Sequence, residues 1–133
     1  MRSETVITST GKHWLDEGGV LHAIYFPAPE HTLADARASS VALMQVAQGK
    51  RRPVLVDIRE VKSVALEARK YYASEENTQI VSALVLLIES PISRMIGNFF
   101  MKLSNLPFPV SLFTDEEEAL AWLRAFLKDE VEA

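Results

Sequence analysis

Residues 54–68 read VLVDIREVKSVALEA, and Pro53 stands directly before them. Val54 to Ile58 is a short β-branched run of the kind that makes a buried strand, with Asp57 as its polar end. Ser63 is placed to cap a helix that begins near Val64 and continues through LEARKYYAS into the polar stretch around 75–78. Strand followed by helix is the repeating unit of an α/β sheet.

The same unit recurs toward the C-terminus. Ala83 to Ile88 is apolar at every position, the pattern of a strand covered on both faces, and its short length favours a strand over a buried helix. Pro91 suits a first helical turn, and Ile92, Met95, Ile96, Phe99, Phe100 and Leu103 then fall on an apolar stripe with Arg94 and Lys102 off it. That helix ends before Pro107, and Pro109 to Phe113 makes another strand. Thr114 and Glu117 have the spacing of a capping box, and Asp115, Glu116 and Glu117 suit the positive end of the last helix's dipole. Ala119, Leu120, Trp122, Leu123, Phe126 and Leu127 form its expected buried side, with Trp122 as a core anchor, and 129–133 should fray.

Toward the N-terminus, the basic loop Lys50-Arg51-Arg52 follows a helix that starts at Thr32 and Asp35 and closes at Gly49. Leu33, Ala36, Ser40, Leu43, Met44 and Ala47 recur on one stripe of it. KHWL and VLHAIYF flank the turn residues Asp16 to Gly19 and predict a β-hairpin over 11–26, ended by Pro27 and Pro29. Thr5 to Ser9 extends the same ribbon. The expected fold is thus one α/β domain over 1–133, an N-terminal β-ribbon followed by alternating strands and helices in a mixed, mainly parallel sheet.

Composition narrows the chemistry. The 133 residues are 48% hydrophobic and 24% charged, which fits one globular core and excludes disorder and collagen-like repeats. No apolar run approaches the ~20 residues of a membrane helix, and the polar start MRSETVITSTGK carries no signal-peptide core, so a cytoplasmic protein is expected. The absence of cysteine removes disulfides, thiolate metal sites and cysteine nucleophiles. A net charge of -4 argues against general affinity for nucleic acid.

The stretch VLVDIREVKSVALEA resembles the pattern of STAS domains (sulfate transporter and anti-sigma-factor antagonist). There a strand ending in Asp leads through a short hydrophobic loop into a helix whose start carries the functional site. The order of elements agrees over nearly the whole chain. SPISRMIGNFF, PFPVSLFT and EEEALAWL look more specifically like small bacterial proteins described as STAS/SEC14-like. The resemblance implies a SpoIIAA-like fold, helices mainly on one face of the sheet, and work by protein binding. In switches of the anti-sigma antagonist type, an Asp-Ser-Ser or Asp-Ser-Thr segment at the helix start receives a phosphoryl group and about two negative charges. Laying the strand Asp on Asp57 puts Ala65, Leu66 and Glu67 at that segment, and the nearest hydroxyl is Ser63, two residues earlier. What remains is an interaction module without the phosphoacceptor.

Other chemistry finds little support. A hairpin closing about Glu17 and Gly18 sets His13 opposite His22, with Cβ atoms about 5 Å apart, whereas a three-residue loop sets His13 opposite Ala23. The ribbon supplies no third ligand, so no metal is expected. Asp57 stands at the carboxyl end of a parallel strand, where open α/β sheets place their sites, with Arg59, Ser63 and Glu67 close by in sequence. Its alternative role is to cap the following loop or helix. Ser63 has no neighbouring base, and there is no nucleophile elbow, P-loop or dinucleotide fingerprint, so no catalytic residue and no cofactor are expected. The Lys50-Arg51-Arg52 cluster reads as a solvated turn rather than a phosphate site.

The helix over 92–106 carries more large apolar side chains than one stripe uses. Phe99 and Phe100 point about 100° apart, so one of them belongs at the margin of the core. That margin can face a protein partner, a second copy in a homodimer, or a small apolar or lipid-like molecule in a pocket beside the helix. If helices cover mainly one face, Leu84, Leu86 and Ile88 or their alternates also need cover from the hairpin or from a second subunit. Asp57, Arg59, Ser63, Glu67, Phe99 and Phe100 are therefore the candidate interaction or ligand surface.

Overall fold

Chain order and spatial order coincide in the sheet. In a computed structural model that describes residues 5–74, 78–102 and 106–127, strands β1 (Val6–Ile7), β2 (Gly11–Leu15), β3 (Leu21–Tyr25), β4 (Arg52–Asp57), β5 (Val81–Leu87) and β6 (Val110–Phe113) lie side by side in that sequence. The first three pair antiparallel as a ribbon, and β3 through β6 run parallel. Helices α1 (Leu33–Ala47), α2 (Leu66–Tyr72) and α3 (Pro91–Met101) make the crossovers, and α4 (Glu116–Arg124) follows β6.

Three right-handed crossovers that step the same way must leave their helices on the same face. Ala36, Leu43 and Val46 of α1, Ala68 of α2 and Phe100 of α3 accordingly share one core with Leu21, Ala23, Val54 and Leu86 of the sheet. Among the described residues no strand follows α4, and that helix folds back across the other face. Its Ala119 and Leu123 cover Val20, Leu55, Ala83, Val85 and Leu87, with Trp122 and Phe126 half-buried at the border. The second face over β4 and β5 is thus covered from within the chain, by neither the hairpin nor a second subunit, and Trp122 is a border residue rather than a central anchor.

The hairpin closes through the three residues Glu17, Gly18 and Gly19. Asp16 and Val20 form the last backbone pair, and Gly19 takes the positive φ of 98° that such a loop requires. That loop length sets His13 opposite Ala23 and Trp14 opposite His22. The two histidines therefore point to opposite faces, and the expected His13–His22 pair does not form.

Helix starts differ from expectation where long-range pairing intervenes. Thr32 and Asp35 form the capping box of α1, but its left-handed closing residue is Gln48, one before Gly49, and Met44 faces outward. Ala65, not Ser63, precedes α2. Val61 and Val64 bridge in parallel to Ala28 and His31, which holds 61–64 extended and delays the helix. Asp115, not Thr114, caps α4 by accepting from the Glu118 amide.

The largest departure is α3. Ser93, Gly97 and Phe100 are its buried residues, whereas Ile92 and Met95 are 44% and 67% exposed. Gly97 lets the helix sit close: a Cβ there would lie 2.8 Å from Leu112 Cδ2 and 3.3 Å from Ile88 Cγ2. The expected apolar stripe is therefore split, with Phe100 in the core, Ile96 and Phe99 at the margin, and Ile92 and Met95 outside. Leu103, the last residue of that stripe, lies outside the described residues.

Candidate functional site

At the carboxyl end of β4, Asp57 is 7% exposed and engaged by its own loop. The backbone N–H and Nε of Arg59 both donate to Oδ1 at 3.0 Å, and an Arg59 terminal nitrogen donates to Oδ2 at 2.7 Å. These bonds raise the Arg59 pKa, with further help from the charges of Glu89 and Glu116. A guanidinium so matched by carboxylates offers little to an anion. Asp57 therefore ties down the turn after β4, the capping role its position allowed.

The six candidate residues do not form one cluster. Asp57 lies on the α4 side, beside Ile24, Leu55 and Glu116. Ser63 belongs to the extended segment before α2, where its carbonyl accepts from the His31 amide at 2.7 Å, and Glu67 is exposed in the first turn of α2. Among the described residues, no hydrogen bond or ion pair joins Asp57 or Arg59 to Ser63 or Glu67. Phe99 and Phe100 meet edge to face at 5.7 Å; Phe100 then packs on Tyr72, and the Arg69 guanidinium covers the Phe99 ring at 4.8 Å. The basic run is structural as well, with Arg52 donating to the Ala47 carbonyl and Arg51 to the Val81 carbonyl.

A buried polar chain stands in the α1–α3 core, and sequence reasoning missed most of it. His13 Nδ1 lies 3.3 Å from the Val6 carbonyl, which can only accept, so Nδ1 carries the proton. Burial lowers the His13 pKa against the raising effect of that bond, and in the neutral ring Nε2 then accepts from Ser39 Oγ at 2.9 Å. Ser39 in turn accepts from the Tyr25 hydroxyl at 3.0 Å, Tyr25 accepts from Tyr72 at 3.0 Å, and Tyr72 accepts from His31 Nε2. One terminal acceptor thus sets the direction of five hydrogen bonds. Burial also lowers the His31 pKa and raises those of both tyrosines, so the chain is neutral throughout. The sequence signal was a single hydroxyl, Ser39, on the inner side of α1. Its partners are 14 to 26 residues away, beyond the reach of local spacing.

Beside this chain is a cavity of about 80 Å³ lined mostly by aliphatic and aromatic side chains, Ile96 and Phe100 of α3 among them, together with Ser39 and Ser40 of α1. It is small by the measure of a ligand pocket, which runs to roughly 300–1,000 Å³. Among the described residues, no cluster of three or more metal-ligating side chains is present, and no helix is long and apolar enough to cross a membrane.

Residues 13–127 match the model of a family described as a domain of unknown function, DUF7793. Among solved structures, the chain is similar to an uncharacterized protein of the DUF3478 family with a SpoIIAA-like fold from Shewanella loihica PV-4. The two are 18% identical with a TM-score of 0.59, over 92% of this chain and 98% of that one. A protein with unknown function from Arthrobacter sp. FB24 is 29% identical over 89% of this chain and 95% of that one, with a TM-score of 0.30. No curated protein matches. The Shewanella similarity shows that the fold is SpoIIAA-like, as the STAS resemblance implied.

Proposed function

The chain belongs to the DUF7793 family, and from that premise we propose that it is a non-enzymatic interaction module of the cytoplasm that self-associates through the outward face of α3. The observation that carries this reading is the orientation of that helix. Its small residues, Ser93 and Gly97, pack inward, while Ile92 and Met95 stand in solvent at 44% and 67% exposure. A helix normally turns its large apolar side chains to the core. Phe100 is turned inward here, but Ile92 and Met95 are not, and Met95 lies beside Arg94, Phe99 and Lys102, as at an interface with an apolar centre and a charged rim. The helix start that carries the phosphoacceptor in STAS switches has Ala65 at its cap and Leu66 exposed at 55%, so the reading needs no phosphorylation step.

Sedimentation equilibrium tests it. The wild type should dissociate in the micromolar range, and Met95→Lys should sediment as a monomer with unchanged circular dichroism. Phe100→Asp should instead unfold, because it buries an unpaired charge. A wild type that stays monomeric at tens of micromolar would overturn self-association.

A further inference from the structure

The cavity beside the hydroxyl–imidazole chain has a mostly apolar lining, and Tyr25, His31, Ser39, Ser40 and Tyr72 are its polar members. The Tyr25 and Tyr72 hydroxyls and His31 Nε2 are joined in that chain. Ser40 is different. It is 2% exposed, it sits on the cavity wall, and its Oγ has no hydrogen-bond partner among the described residues. A buried hydroxyl left alone is costly, and in a native fold such a group calls for an explanation. Alanine at this position would avoid the cost and favour the helix.

We infer that the cavity is a binding site for a small neutral alcohol whose hydroxyl pairs with Ser40 Oγ and whose hydrocarbon part fills the apolar space. Three features define that class. Among the described residues, no Lys, Arg, Asp or Glu lines the cavity, so an ion would lie there without a counter-charge from them. The volume of about 80 Å³ is roughly half that of a 150 Å³ cavity that takes benzene, which leaves room for about three or four non-hydrogen atoms. A water molecule would satisfy Ser40 but needs two to four polar partners, and the other polar side chains on the wall, Tyr25, His31, Ser39 and Tyr72, are already joined to one another. The site lies inside the α1–α3 core, so it stands or falls independently of the outward face of α3.

The test is a titration followed through the methyl resonances of Val54, Val56 and Leu86, with 1-propanol as the probe and 1-chloropropane as a similar shape without a hydroxyl. Propanol should give saturable shifts confined to these methyls. Chloropropane should bind about tenfold more weakly, the worth of one hydrogen bond. Ser40→Ala keeps the space and removes the hydroxyl, so it should fold at least as stably and bring the two probes to parity. Ser40→Val should fill the space and abolish both responses. Absence of saturable shifts with propanol, parity of the probes in the wild type, or a long-lived water at Ser40 that propanol does not displace would each overturn the site.

Discussion

Tyr25 and Tyr72 meet hydroxyl to hydroxyl at 3.0 Å, joining β3 to α2 across 47 residues of chain. Because the Tyr72 proton points toward Tyr25 and the Tyr25 proton toward Ser39, deletion of the middle hydroxyl removes the acceptor of one buried bond and the donor of the next. Tyr25→Phe should therefore lower the unfolding free energy by about 1–3 kcal/mol, far more than the loss of one oxygen at a surface. Urea denaturation read by circular dichroism measures it; an unchanged midpoint would mean that the hydroxyls are not coupled.

Acid should weaken the fold before Asp16 and Asp35 titrate. Burial, partly opposed by the Val6 carbonyl at His13 and by the Asp35 charge at His31, holds both imidazoles below their ordinary 6.5. Above that pH both are neutral, folded or unfolded, and contribute no slope. Below it the unfolded chain takes up protons that the fold refuses, so stability falls as pH falls. For Asp16, burial would raise the pKa but the His22 and Val20 hydrogen bonds outweigh it; for Asp35, the bonds from Thr32 and Thr10 do the same. Both carboxyls thus lie below 3.8, and their own losses begin only near there. A urea midpoint that drops between about pH 6.5 and pH 5, with a smaller drop in His31→Gln, is the expected result. A flat profile across that window would contradict the buried neutral chain.

Trp122 touches Phe113 at 6.0 Å and Phe126 at 4.8 Å between ring centres, but it is only half-buried. A fully buried tryptophan truncated to alanine costs about 3–5 kcal/mol; here about half of that is expected. Thermal unfolding of Trp122→Ala measures the loss. A drop as large as that of a central core residue would place the indole deeper than the fold does.

Gly97 weighs two effects of similar size. Alanine gains about 1 kcal/mol of helix propensity, while its Cβ presses the end of Leu112, a side chain on an edge strand that can turn aside. Gly97→Ala should be close to neutral. Gly97→Val also meets Ile88 and should lose about 1–3 kcal/mol by overpacking. Chemical denaturation of the pair decides it: equal stabilities would mean that α3 does not sit against β6 at this distance.

The strands were legible because their patterns are local: VLVDI and Ala83 to Ile88 have the length and composition of strands wherever they occur. What was not legible depended on geometry between segments. Hairpin register turned on whether the loop held two residues or three, a choice that carries every side chain of the ribbon to one face or the other. Ser63 lost its capping role to a pairing between 28–31 and 61–64 that no local spacing reveals. In α3, an apolar stripe was easy to find, but the direction it faces depends on how closely Gly97 lets the helix approach Leu112. Asp57 was found and Arg59 was found beside it; that the two satisfy each other became visible only in three dimensions.

A sheet whose strands lie in the order of the chain also has a consequence for how it is made. Each strand pairs with the one before it, so every new βα unit finds its docking edge already formed by residues synthesised earlier. Growth can proceed from the Gly11–Tyr25 hairpin outward without any strand waiting for a later one to be inserted beside it. The last step is the only one that turns back. When β6 has paired with β5, α4 closes over Val85 and Leu87, covering an apolar surface that stands open for as long as α4 is still being made.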